Sequence, residues 1–465
     1  MAGKRKKPAP SVKTEKPLPP KRNKKKVEEE VDSDESTPEV VPNPPSPIVI
    51  QSLGKPPGVL LIAGMVSWDS VGKRVSPSDL HHPNLYSFRQ FTDRKYRLAV
   101  SGCSAAHSVL ITEDGQVYTF GRNNCGQLGL DDTTTRYVPE QVLALEGYDI
   151  IHAATGRNHT LFLTDKGAVY ACGDNRSGQC GLGTTAMKQV LKPTRIKYNG
   201  PPIFKVACGA DFSMILDVSG VLHSFGLPEY GQLGHNTDGK FFVTSTKLSF
   251  HFETIPKPII LYIEKTKDGR VQRISDVDIV DFACGNNHTV AVDSKRRAYS
   301  WGFGGFGRLG HAEQKDESVP RLIKYFDTQS RGVRSVYCGA TFSMAINDLG
   351  ALLLFGQTKR TGEANMYPKH VQDLSGWNVR SVGTSNTSIV VAADDSLIAW
   401  GVSPTYGELG IGDITKSSAK PKEVNRMEGI PVTHVTMGFS HTLLLCDDKD
   451  DVVKAKLNAL LTYEP

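Results

Sequence analysis

Beyond residue 95 the chain repeats itself, and a repeat too small to bury its own apolar faces must stack on its neighbours. The first half of the unit is a small-residue pair, a glycine, two variable residues, His or Phe, Ser or Thr, and then alternating apolar residues. One copy reads Ala153-Ala154-Thr155-Gly156-Arg157-Asn158-His159-Thr160-Leu161, and another Phe282-Ala283-Cys284-Gly285-Asn286-Asn287-His288-Thr289-Val290. Variants stand at Cys208–Ser213 and Cys338–Ser343, and weaker copies at Cys103–Ser108, Gly383–Ser388 and Met437–Thr442. The positions equivalent to the histidine are 107, 159, 212, 288, 342, 387 and 441, at spacings of 52, 53, 76, 54, 45 and 54 residues.

A second half follows each copy. It is a turn such as Asp114-Gly115 or Ser219-Gly220, then a strand ending in aromatic-Gly, as in Tyr118-Thr119-Phe120-Gly121 and Tyr299-Ser300-Trp301-Gly302. A glycine turn comes next, Gly126-Gln127-Leu128-Gly129, Gly231-Gln232-Leu233-Gly234, Gly307-Arg308-Leu309-Gly310 and Gly407-Glu408-Leu409-Gly410. A Pro-x-x-Val/Ile strand closes the unit at Pro139–Val142, Pro193–Ile196, Pro320–Ile323, Pro368–Val371 and Pro421–Val424. Each unit thus offers four short strands of aromatic and branched residues. Forty-four glycines and 27 prolines, against 8 methionines, fit many strands and turns rather than long helices.

Four strands at a period near 50 are the pattern of a β-propeller blade. Seven first halves are countable, and the last lacks its second half. Gly58-Val59-Leu60-Leu61-Ile62-Ala63-Gly64 has the missing strand-then-glycine form, with Trp68–Gly72 behind it like the glycine turn. The expected fold is all-β: a seven-bladed propeller over 53–447 whose N-terminal strand closes the last blade. A tail at 1–52 precedes it, and a charged, helical tail at 448–465 follows.

The longest apolar run, Val59–Val66, is far below the length needed to cross a bilayer, so no membrane span is expected. The opening MAGKRKKPAP has no apolar core behind it and does not fit a secretory signal. Eight cysteines (Cys103, Cys125, Cys172, Cys180, Cys208, Cys284, Cys338, Cys446) form no Cys-x-x-Cys pair and point to a reducing, intracellular compartment.

Residues 1–52 hold 11 Lys/Arg, 8 Asp/Glu and no aromatic residue. Such a segment buries too little apolar surface to offset its ordering entropy and is expected to be disordered. Two basic clusters, Lys4-Arg5-Lys6-Lys7 and Lys21-Arg22-Asn23-Lys24-Lys25-Lys26, have the spacing of a bipartite nuclear localisation signal; contact with nucleic acid and mere solvation are the alternatives. Ser33 lies in an acidic run, and Thr37-Pro38 and Ser46-Pro47 are proline-directed sites. Phosphate at Ser33, Thr37 or Ser46 would offset the basic blocks.

The 76-residue spacing marks an insertion of about 23 residues. Two apolar-rich runs around Asp268-Gly269 read as a β-hairpin within about 255–276. A closed ring has its edges paired, so the hairpin adds nothing to closure, and extra loops on rigid scaffolds carry binding function. The candidate partner-binding residues are Leu261, Tyr262, Ile263, Glu264, Lys265, Thr266, Lys267, Asp268 and Arg270, a mixed-charge set suited to a polar protein surface; neutral decoration is the other reading. Gly302-Phe303-Gly304-Gly305-Phe306-Gly307 satisfies G-x-G-x-x-G, but a repeat turn follows it and no helix to hold a phosphate. His107, His159, His288 and His441 fall one per blade, and Phe212 and Phe342 replace them in register, which suits packing rather than ligation or catalysis. No catalytic constellation assembles.

The repeat resembles that of the regulator of chromosome condensation family, over about Val59 to Leu445. Pro228–Asn236, Glu264–Gly269 and Trp301–Gly305 are similar to a mitotic branch of that family. The resemblance implies a seven-bladed propeller that engages a small GTPase of Rac or Ral type and acts in mitosis, at chromosomes, centromeres and spindle microtubules. The founding type promotes nucleotide exchange without covalent chemistry, by binding the nucleotide-free GTPase more tightly. No exchange wedge of that type is recognisable here, so sequestration stands beside exchange. The chain is then not an enzyme of covalent chemistry, and it needs no cofactor, metal or small-molecule substrate. It is expected to be a monomer, in nucleus and nucleolus in interphase, on chromosomes and spindle in mitosis, with some in the cytoplasm. The second reading is a chromatin or microtubule adaptor working through the tail, with binding lost on deleting 1–52 and steeply weakened by salt.

Overall fold

Alternating apolar strands separated by glycine turns fold here into seven sheets, six of four antiparallel strands and one extended to six strands, arranged as the blades of one propeller. The computed structural model describes residues 56–465 apart from 267, 359–362, 402–405 and 413–417. The basic clusters and Ser33, Thr37 and Ser46 lie outside the described residues, as does Lys267. Blades one and two run from Leu98–Val100 to Arg136–Gln141 and from Ile150–Thr155 to Gln189–Arg195. Blades three and four run from Ile203–Cys208 to Glu253–Pro258 and from Ile279–Cys284 to Glu317–Leu322. Blades five and six run from Val333–Cys338 to Asn365–His370 and from Val379–Thr384 to Ser418–Glu423.

Blade seven joins the two ends of the repeat region. Gly58–Gly64 lies antiparallel to His441–Cys446, with Leu61 opposite Leu444, and Val432–Met437 is the innermost strand. The N-terminal side also supplies the outermost strand, Leu85–Tyr96, which carries no repeat motif. Every residue of Gly58–Gly64 is buried. Behind this blade sits helix α1, Asp451–Asn458, capped by Asp450 and buried through Val453 and Leu457.

The aromatic-Gly motif has a packing reason. Gly121 has φ +112° directly opposite His107, and a Cβ there would lie 2.5 Å from the His107 Cα. The aromatic before such a glycine, Phe120, Phe225, Trp301 or Phe355, is fully buried between blades. Each contributes on the order of 1.5–3 kcal/mol by burial. Trp301 adds a hydrogen bond across the joint, donating Nε1–H to the Gln232 carbonyl at 2.9 Å.

The recurring histidines are latches between blades. His107 Nε2 bonds Thr160 Oγ1 at 2.8 Å, His159 bonds Ser213 Oγ at 2.9 Å and His288 bonds Ser343 Oγ at 2.9 Å. His441 closes the ring onto Ser108 Oγ at 2.8 Å. Thr160, Ser213 and Ser343 each donate their own proton to a carbonyl of the preceding glycine turn, at Gln127, Gln179 and Arg308. Each hydroxyl must therefore accept from Nε2–H, and the buried Nδ1 of each ring has no hydrogen-bond partner, which favours the neutral ring with its proton on Nε2. Burial pushes His107 and His441 down to about 3 and His159 to about 4. The glycine three residues earlier is fixed by the same ring: a Cβ on Gly156 would lie 2.1 Å from His159 Cε1.

Two expectations are corrected in register. In blade six the residue opposite the strand-ending glycine is Ser388, paired with Gly401, and not Thr387. The insertion is not one hairpin but two. Pro256-x-x-Ile259 is blade three's own closing strand: Ile259 N–H bonds the Leu222 carbonyl just as Val142 N–H bonds Val117. A hairpin of Lys240–Phe242 and Leu248–Phe250 lies before it and one of Tyr262–Lys265 and Val271–Ile274 after it. The expectation that ring closure pairs every edge also fails, because closure leaves the outer edge of each blade free. The second hairpin takes the outer edge of blade four, with Ile263 in a parallel bridge to Arg321.

Candidate functional site

The Tyr262–Ile274 hairpin divides into an anchored strand and a free one. Tyr262 and Ile263 are buried, with the Tyr262 ring edge-on to Tyr299 at 5.2 Å, and Leu261 is half-buried. Lys265 Nζ donates to Glu317 Oε1 at 2.5 Å, and Arg321 donates to the same oxygen at 2.8 Å. Glu264 pairs with Lys324 at 3.0 Å. These charges therefore hold the hairpin to blade four. Thr266 shapes the turn, its N–H and hydroxyl both bonding the Arg270 carbonyl at 2.9 and 3.1 Å.

What faces solvent is Asp268, Arg270 and the strand Val271-Gln272-Arg273. Asp268 and Arg270 pair with each other at 3.1 Å, and a hydrogen bond from Thr266 holds the Asp268 carboxyl below its usual range. Val271 and Ile260 are apolar neighbours of this exposed strand, 59% and 73% exposed. A strand paired on one edge only, with Arg270, Arg273 and two exposed apolar side chains about it, suits contact with another protein. The sequence grouped Gln272 and Arg273 with the hairpin arm but not with its contact residues.

On the face carrying the glycine turns, blade four departs from its neighbours. Gln127, Gln179 and Gln232 each accept a hydrogen bond from the N–H two residues before, and Glu408 does so in blade six. Arg308 holds that position in blade four and has no acceptor to offer. Its buried guanidinium instead donates to the Ala340 and Gly305 carbonyls at 2.7 and 2.9 Å and lies 4.7 Å from the Phe303 ring centre. The Phe306 N–H turns to Gln314, and Phe306 adopts φ +63° with its ring 42% exposed.

The inner strands line a central channel of about 420 Å³. Lys205 and Asp281 pair within it, and His434 Nε2 bonds the Ala99 carbonyl at 2.8 Å. Burial, with Lys205 and His434 nearby, pushes His152 down to about 3, which keeps it neutral. Among the described residues no three His, Cys, Asp or Glu side chains are placed to share a metal ion. Gly302–Gly307 runs into the Arg308 turn, and the structure has no α-helix there to receive a phosphate. The geometry is that of a closed ring of blades with an exposed hairpin arm on blade four.

Fold and repeat together define the class: the chain belongs to the RCC1-like family, whose domain model matches residues 64–444. Among its relatives, Protein RCC2 of Homo sapiens is 47% identical over 419 residues, covering 88% of this chain and 80% of that protein. The Protein RCC2 homolog of Danio rerio is 48% identical over 419 residues, covering 88% and 84%. A solved structure of yeast RCC1 (Prp20) bound to Kap60 superposes with a TM-score of 0.70 at 18% identity, over 93% of this chain and 98% of that one. Human WBSCR16 superposes with a TM-score of 0.67 at 20% identity, over 84% and 100%. At these identities the superpositions speak for the fold.

Proposed function

We propose that this protein binds a small GTPase of Rac or Ral type and regulates it by nucleotide exchange or by sequestration, in mitosis. The reading includes action on chromosomes, centromeres and the spindle, a nuclear and nucleolar interphase location directed by the basic clusters at 4–7 and 21–26, and control by phosphate at Ser33, Thr37 and Ser46. Family membership supports the GTPase class. The observation that carries the surface is the Tyr262–Ile274 hairpin, bonded to blade four by Lys265 and Glu264 and offering a free strand to solvent. No covalent step is needed: a platform that holds the nucleotide-free GTPase more tightly than the loaded form speeds nucleotide release by that difference alone.

The test is nucleotide release and pull-down against a Rac and Ral panel with the full chain, a chain lacking 1–52, and Arg270→Glu/Arg273→Glu. Binding that survives tail deletion and falls at least about tenfold in the double variant supports the reading, since opposed charges at an interface cost several kcal/mol. If the tail-less chain binds no GTPase while the full chain still binds chromatin or microtubules, the adaptor reading replaces it.

A further inference from the structure

The face opposite the glycine turns carries a cleft of about 1040 Å³ between blades five and six, reaching the edge of blade four. Its lining includes three arginines, Arg296, Arg334 and Arg380, and no carboxylate. The Arg334 side chain has no hydrogen bond or ion pair with any described residue. Arg296 meets one carboxylate, Asp348, only at 4.0 Å, and Arg380 donates to the Asp394 backbone carbonyl.

The repeat shows that this arrangement is a local departure. The inner strand of each of blades two to seven carries a bulge at its second residue, where the register to the next strand shifts; in blades four and seven that residue is the half-buried Val280 and Thr433. A bulge re-aims the side chain it holds. In blades two and three the bulged residues are Ile151 and Phe204, 2% and 6% exposed. In blades five and six they are Arg334 and Arg380, both exposed. Blades five and six thus place a cation where blades two and three place a packing residue, and both cations line the cleft. Behind the cations stand Trp377 and Tyr337, with Leu349 on the rim at 75% exposure.

We infer that this cleft binds a phosphorylated serine or threonine segment of a partner protein. Three guanidinium groups with no lining carboxylate favour an anion of more than one charge over a single carboxylate. A phosphate dianion offers three acceptor oxygens that several guanidinium groups bind together. The Trp377, Tyr337 and Leu349 wall takes apolar residues beside it, and the volume far exceeds a free phosphate. Asp348 and Asp394 stand just outside the lining. They would repel the continuing phosphates of a nucleic acid and leave neutral peptide flanks untouched.

The test is fluorescence anisotropy of the full chain with a labelled library of short peptides, degenerate at the flanks and fixed at a central phosphoserine or phosphothreonine. The same library with unmodified serine, inorganic phosphate and polyuridylate are the comparison arms. Phosphorylated peptides bind at least about tenfold tighter than unmodified ones, and Arg334→Gln/Arg380→Gln removes that preference. Both residues are exposed, so the variant keeps the wild-type melting temperature; Arg334→Gln alone, with a partial loss, is the second measure. The inference is overturned by equal binding of unmodified peptide, by a preference that survives the double variant, or by polyuridylate binding that the phosphopeptides do not compete.

Discussion

His159→Phe tests the latch chemistry most directly. The ring is fully buried, and Phe212 and Phe342 already hold the same position over Gly209 and Gly339, so phenylalanine fits the space. At pH 7.5 the variant loses the 2.9 Å bond to Ser213, which keeps its bond to the Gln179 carbonyl, at a cost of about 0.5–1.5 kcal/mol. Acid reverses the comparison. Burial holds His159 near 4, against 6.5 in an unfolded chain, despite the favourable charge of Asp174. Below pH 6.5 the unfolded chain takes up a proton that the folded one refuses, so stability falls as pH falls. At 1.36 kcal/mol per unit, moving from pH 7.5 to pH 5 costs the wild type about 2 kcal/mol through this residue, and the phenylalanine variant nothing. Urea denaturation at the two pH values measures it: the wild type is ahead at pH 7.5 and level or behind at pH 5. A stability difference unchanged between the two pH values refutes the neutral, Nε2-protonated latch.

Two further outcomes follow from the same joints. Burial pushes Glu408 up to about 7, against 4.5 in an unfolded chain, where blades one to three use glutamine. Its stabilising proton is lost as pH rises from 4.5 to about 7, so Glu408→Gln gains about 3 kcal/mol at pH 8 and nothing at pH 4.5, read from melting curves at both. At the hairpin root, Lys265→Ala or Arg321→Ala leaves the buried Glu317 one cation and costs about 1 kcal/mol. Losing both strands the carboxylate and costs about 3–5 kcal/mol, a coupling that a double-mutant cycle in urea detects.

The fold was legible because glycines and buried aromatics are forced by backbone approach, and that force recurs in every blade. Closure was legible because Gly58–Gly64 carries the strand-then-glycine form that the last blade lacks. Leu85–Tyr96 was not, because an outer strand is half solvated and keeps no motif. Thr387 and Ser388 are both small hydroxyl residues, so only the pairing with Gly401 separates them. Pro256-x-x-Ile259 was hidden inside the insertion, although it is the same marker read in five other blades. The hairpin's turn was readable from Asp268-Gly269, but the partners of Glu264 and Lys265 lie 60 and 52 residues away, at Lys324 and Glu317. The arginine cleft was invisible because a bulge position has no sequence signature until the register is known.

The closing strand also sets a problem for synthesis. Gly58–Gly64 leaves the ribosome roughly 380 residues before His441–Cys446, its neighbour on the inner side. At 5–20 residues per second that is a wait of roughly 20–75 s, during which Val59-Leu60-Leu61-Ile62-Ala63 has no finished sheet to enter. Six blades can be complete while this apolar ribbon has only Leu85–Tyr96 to pair with and its inner edge is still open to chance partners. Truncation anywhere before residue 441 should therefore yield insoluble product, however many whole blades it contains.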